Sequence, residues 1–208
     1  MFKKLIVGVS ALSMVVVACK QPKCEEVICP EQPAQVNLKD CSAHLQTLIG
    51  NDNSHIRGII AGEPVAAIQE ADSNFVSKTS FYTSYSPDLD INYWATIDYY
   101  FTEGNVVDKI EAEIIPGGLS KQENSLLVDS LYFEMREYLS GKYGNSVTNT
   151  DYKLIWNDVD TKNGALTIFS LDYEVPEEET SIYIDPETGE TDTVDNPPTV
   201  KYVIKYLE

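Results

Sequence analysis

The chain reads as an α+β fold: an antiparallel β-sheet with helices packed on one face, in the order helix, three strands, helix, three strands. Two observations predict it. Apolar and polar residues alternate with period two in several separate stretches after residue 75, the mark of half-buried strands. Between those stretches lies a single long segment, from Ser120 to Gly144, whose apolar residues recur every three to four positions, the mark of a helix. Strands grouped on either side of one helix favour an antiparallel sheet over an alternating parallel one. With 43% hydrophobic residues and 13 tyrosines the chain can build a core.

The elements follow in order. Asp40 or Ser42 can cap a short helix running through Leu48, with Leu45 and Leu48 on one face and Gly50 near its end. Pro64 suits the first turn of a second helix through Val65, Ile68 and Ala71. Three strands are expected at residues 75–85, 91–101 and 106–115. In the second, Ile91, Tyr93, Ala95, Ile97, Tyr99 and Phe101 face one way, which turns Trp94 and Tyr100 to the other side. In the third, Ile110, Ala112 and Ile114 alternate with Lys109, Glu111 and Glu113. Glu103-Gly104-Asn105 makes a tight connection between the last two.

Ser120-Lys121-Gln122-Glu123 is a Ser-x-x-Glu capping box and opens the long helix. Leu127, Val128, Leu131, Tyr132, Met135, Tyr138 and Leu139 form its apolar stripe, and Gly144 ends it. Strands resume at residues 152–157, 165–175 and 200–207. The insert near residues 176–198 contains Asp185-Pro186-Glu187-Thr188-Gly189, a turn signature, and reads as a projecting acidic hairpin.

The N-terminus has a different organisation. Met1-Phe2-Lys3-Lys4 precedes an apolar stretch from Leu5 to Val17, which is shorter than the roughly 20 residues that span a bilayer. A positive start and a short apolar run match a secretory signal peptide over residues 1–18. Residues 19–38, interrupted by Pro22, Pro30 and Pro33 and lacking periodicity, read as a flexible tether. Its r.m.s. span would be roughly 25 Å. Residues 39–208 remain as a single folded domain.

Val16-Val17-Ala18-Cys19 resembles the lipobox of bacterial lipoprotein precursors. The resemblance implies that Cys19 becomes the first mature residue and carries lipid, and two or more acyl chains anchor stably where one does not. Lys20, rather than an acidic residue, implies sorting to the outer membrane. Lys23-Cys24-Glu25-Glu26 resembles, with a cysteine interrupting it, a Bacteroidetes-type surface-export signal. The Ile56-Arg57-Gly58 entry, the strand pairs and the helix ending Lys142-Tyr143-Gly144 are similar to small envelope lipoproteins of SmpA/BamE-like and β-lactamase-inhibitor-like architecture, over residues 56–175. That likeness implies a fold and not a function.

Charge narrows the partners. The net charge of −18 falls to −20 when Lys3 and Lys4 leave with the signal. Nucleic acid, which demands phosphate neutralisation, is thereby excluded as a partner, and so is broad docking on anionic lipid. The expected partners are the membrane, through the lipid, and another envelope protein. Beyond Cys19, three cysteines remain: Cys24 could pair with Cys29, or Cys29 with Cys41, and one thiol is left over either way. Their spacing does not suit zinc.

No nucleophile–base motif, no His-Glu-x-x-His and no phosphate loop is present, so no catalytic residue, metal or cofactor is expected. His44 and His55 read as ordinary helix or surface residues, and Glu111 with Glu113 as a solvated strand face. Ten acids and no Lys or Arg lie between Lys162 and Lys201. The Asp185–Glu190 stretch lacks calcium-loop spacing and reads as a solvated hairpin. Trp94 and Tyr100 are the candidate ligand-binding residues: on an open sheet face their rings could stack on a sugar or a partner chain. The expected function is a non-enzymatic, lipid-anchored envelope protein that acts as an interaction or scaffold module, with glycan capture by that aromatic face as the rival.

Overall fold

The structure is a computed structural model. It describes residues 36–71, 74–118, 120–150, 152–159, 164–177, 180–184, 186 and 188–207. Cys19, Cys24, Cys29 and the signal, and with them the lipidation and disulfide expectations, lie outside these residues, as do Glu178, Glu179, Asp185 and Glu187 of the acidic insert. Residues 32–208 form one compact unit.

A short 3-10 helix, Leu38–Asp40, opens the described chain. Leu38 is buried and Val36 packs against the core, so the fold takes in residues expected to be tether. Helix α1 is Ala43–Ile49, capped by the Ser42 side chain at its start. Gly50 closes it with φ 90°, and a side chain there would drive into the backbone of Gly58. Helix α2 is Ala66–Ala71.

Four strands follow: β1 Phe75–Lys78, β2 Tyr82–Tyr85, β3 Tyr93–Phe101 and β4 Val107–Pro116. The helix–three-strand order of the sequence reading is therefore corrected. The alternation over residues 75–85 is one strand in pattern but a hairpin in space. Thr79 makes the difference: its hydroxyl accepts the N–H groups of Phe81 and Tyr82, and its own N–H donates to the Tyr82 carbonyl at 2.9 Å. Ile91 is also displaced from the expected face; it precedes β3 and is 93% exposed.

Helix α3, Lys121–Tyr143, carries the predicted box: Ser120 accepts the Glu123 N–H and donates to the Glu123 carboxylate. Six strands follow, the three expected, two in the insert and the unexpected β5: β5 Thr148–Thr150, β6 Lys153–Val159, β7 Leu166–Glu174, β8 Thr180–Ile184, β9 Thr191–Asp195 and β10 Thr199–Leu207. Strands β8 and β9 form a separate two-stranded hairpin, the expected insert.

The other eight strands make one antiparallel sheet in the order β1-β2-β3-β4-β10-β7-β6-β5. The C-terminal strand β10 thus sits in the middle, joining the β1–β4 meander to the β5–β7 meander. Alternation sorts the side chains cleanly. Tyr93, Ala95, Ile97 and Tyr99 of β3, Ile110, Ala112 and Ile114 of β4, and Val200, Tyr202 and Ile204 of β10 are buried. Leu154, Trp156, Phe169 and Leu171 continue that layer, under Leu45 and Leu48 of α1 and Val128, Leu131 and Met135 of α3. Among the described residues no helix is long and apolar enough to cross a membrane.

Candidate functional site

Trp94 and Tyr100 do lie on the side of β3 opposite Tyr93 and Tyr99. They are not brought together. Six positions apart on one strand, they are separated by roughly 20 Å. Trp94, 39% exposed, lies over Gly117, where an added Cβ would meet its ring. Tyr100 has its ring faced by the Lys109 ammonium at 4.3 Å and packs beside Tyr82 at 5.4 Å. Burial and a hydrogen bond to Glu111 push its phenol up to about 12. Glu111 is itself raised by burial, but Lys109 and Tyr100 donate to it and hold it below the usual range. The same sheet face carries three charge pairs, Lys109–Glu111 at 2.9 Å, Lys153–Asp172 at 3.0 Å and Lys201–Glu174 at 3.9 Å, beside the apolar Ile155, Ile168 and Val203. Tyr100 is therefore stacked and bonded within the protein.

His44 stands in a polar cluster that the sequence did not disclose. Its Nδ1 is 3.1 Å from Asp90 Oδ2, and its Nε2 is 3.0 Å from Glu134 Oε2 and 2.8 Å from Ser42 Oγ. Tyr93 packs against the ring at 4.4 Å. Serine, imidazole and carboxylate in this order have the geometry of an activated nucleophile. Glu134 competes with that use: its carboxylate accepts hydrogen bonds from the Ser42 hydroxyl at 2.6 Å and from the Ser42 N–H at 2.6 Å. Ser42 Oγ also accepts the Leu45 N–H as the cap of α1. The cluster clamps α1, the loop before β3 and α3 together.

His55 is placed quite differently. Its ring meets Phe169 edge-on at 5.0 Å, and Nδ1 accepts the Ala61 N–H at 3.1 Å. Burial, with Lys142 nearby, lowers its pKa to about 4. It is a half-buried histidine, neutral at physiological pH. Cys41 is half-buried, its Sγ 3.7 Å from the Asn37 carbonyl oxygen, and burial followed by Glu134 raises its thiol.

A concavity lined by aromatic rings lies elsewhere, beside α3. A cleft of about 530 Å³ is bounded by α3 on one side and by β5, β6 and β7 on the other. Four rings run through it in a continuous row: Phe133 to Tyr132 at 6.1 Å, Tyr132 to Tyr173 at 5.7 Å, and Tyr173 to Tyr152 at 6.2 Å. Tyr132 is buried in the floor, while the rim rings Phe133 and Tyr152 are 50% and 62% exposed. The rim is fixed: Tyr173 N–H donates to the Tyr152 carbonyl at 2.8 Å, and Thr150 Oγ1 accepts the Lys153 N–H at 3.1 Å. Asp129, Arg136 and Asn149 supply the polar groups. The Arg136 guanidinium rests 4.9 Å over Phe133. Burial, then Asp129, to which it hydrogen-bonds, raises the Tyr173 phenol.

Sequence reasoning missed this group because its members come from α3, β7 and the residue before β6. The only sequence signal was Tyr132-Phe133, two adjacent rings of which one must point off the apolar stripe. Among the described residues no group of His, Cys, Asp and Glu side chains has a geometry that could hold a metal ion. No family model, no curated protein and no solved structure matches this chain.

Proposed function

We propose that this chain is a bacterial envelope lipoprotein, held to the outer membrane through Cys19, whose folded domain is a non-enzymatic binding module. The cleft between α3 and β5–β7 is the binding site. One observation carries the reading: the rings of Phe133 and Tyr152 stand half-open at the rim of a cleft whose floor is already built. Exposed aromatic area held in a fixed concavity is a feature of recognition sites. The anchor rests on the Val16-Val17-Ala18-Cys19 sequence and on the tether behind it.

Each half of the reading has its test. Full-length protein should partition with membranes, and Cys19→Ala should release it; a variant that stays with the membrane removes the anchor. For the domain, an envelope extract should slow amide exchange in residues 129–136 and 148–152, and Phe133→Ser with Tyr152→Ser should abolish that protection in a domain that remains folded by circular dichroism. Unchanged exchange in those segments would refute the cleft as the binding site.

A further inference from the structure

We infer that the cleft takes an uncharged saccharide; the inference rests on the proposed binding site and names its ligand class. The chemistry of the lining selects it. A sugar ring offers an apolar C–H face and a belt of hydroxyls, so its receptor needs open aromatic faces beside side chains with paired polar atoms. The cleft has both: Phe133 and Tyr152 present rings at the rim, and Asp129, Arg136 and Asn149 each carry two polar atoms side by side.

Other ligand classes fit less well. An anion would meet a chain of net charge −18, and the one cation of the lining, Arg136, shares the cleft with Asp129. A cation gains little, since Asp129 is already hydrogen-bonded by Tyr173 and shares the cleft with the positive Arg136. An extended peptide would dock along the β5 edge, but β5 is only three residues long and offers too few backbone groups for strand addition. A purely apolar ligand would leave the polar rim desolvated and unpaired. A volume of about 530 Å³ lies within the range of small-ligand sites and accommodates an oligosaccharide segment.

The test is a titration of residues 32–208 followed by NMR, since that unit is compact by itself. The probes are maltohexaose, cellohexaose and chitotetraose, added up to about 10 mM because single-site sugar binding is expected near millimolar Kd. The expected result is movement of the Tyr132, Tyr152 and Tyr173 ring signals by at least one probe, with Trp94 unmoved. Tyr152→Ala should weaken that binding about tenfold. Tyr152→Phe should retain most of it, because stacking needs the ring and not the hydroxyl. Silence toward all three sugars overturns the ligand class. If an acetylated, amidated tyrosine-rich tripeptide then moves the same rings, the cleft stands as a site for protein; if it too is silent, the binding site itself falls. Sugar-induced shifts centred on Trp94 would overturn the assignment to this cleft.

Discussion

The two faces of the eight-stranded sheet use the same residue types to opposite ends. On the covered face Tyr93, Tyr99, Tyr202, Trp156 and Phe169 are buried, and two of them bond into the layer above: Tyr93 donates to the Leu127 carbonyl of α3 at 2.8 Å, and Trp156 Nε1–H to the Gly144 carbonyl at 3.0 Å. On the open face Trp94 and Tyr100 lie among lysines and carboxylates that neutralise one another in pairs. Burial decides the energetics of the first and water that of the second. The ring-lined cleft lies where the two regimes meet, with a buried floor and open rims.

The sharpest way to test that contrast is to delete one tryptophan from each face. Trp156→Ala removes a fully buried indole and leaves the Gly144 carbonyl unpaired, so it should cost about 3–5 kcal/mol in urea unfolding. Trp94→Ala should cost less, about 1–2 kcal/mol, since the residue is already 39% exposed. Equal losses at the two sites would break the comparison.

The next effect comes from acid. His55 titrates near 4 in the fold and near 6.5 when unfolded, so in the interval between them the unfolded chain binds the extra proton. Stability from this group is complete above the unfolded value and is lost as pH falls toward the folded one. Between about pH 7 and pH 5 the loss should be about 2 kcal/mol. His55→Asn, whose Oδ1 stands where Nδ1 accepts the Ala61 N–H, should remove that slope whatever it does to stability at neutral pH. A slope that persists in the variant would assign the acid sensitivity to other groups.

These effects also show what the sequence could and could not disclose. Helix α3 was legible to the residue, because its capping box and its closing glycine are local devices. The face assignment along β3 was legible because the side-chain period of a strand is two. The break at Thr79 was not, since alternation continues through it and a hydroxyl turns the chain. Nor was the central place of β10, which depends on pairing with β4 more than eighty residues away. The clamp on His44 likewise joins groups 46 and 90 residues apart, and the rings of the cleft come from separate elements. Local chemistry writes elements; sites assembled across the sheet are written only in the pairing.

A smaller effect is expected at the edge of the covered layer. Ser42→Ala deletes the cap of α1 and removes the hydroxyl that donates to the Glu134 carboxylate, so about 1–2 kcal/mol should be lost. Glu134→Gln keeps an acceptor for the Ser42 N–H and should cost less. If the ranking is reversed, the carboxylate's charge toward His44 outweighs the cap, and the clamp is held by its ion pair.

The smallest effect belongs to the open face, and it tests the contrast most directly. Lys109→Ala removes the Glu111 ion pair and the ammonium over Tyr100 together. Two partly exposed contacts of this kind are each worth little, because water and salt screen them and the lysine regains rotamer freedom when released. The loss should stay within about 0.5 kcal/mol and shrink further at high salt. Tyr100→Phe, which deletes only the hydroxyl that donates to Glu111, should fall in the same range. The double variant should equal the sum of the two within error, because solvent takes over what each side chain relinquishes. A loss above about 1.5 kcal/mol for either substitution, or strong coupling between them, would mean that Lys109, Glu111 and Tyr100 act as one desolvated unit. The open face would then be a second ordered surface, and Tyr100 would return as a candidate for recognition.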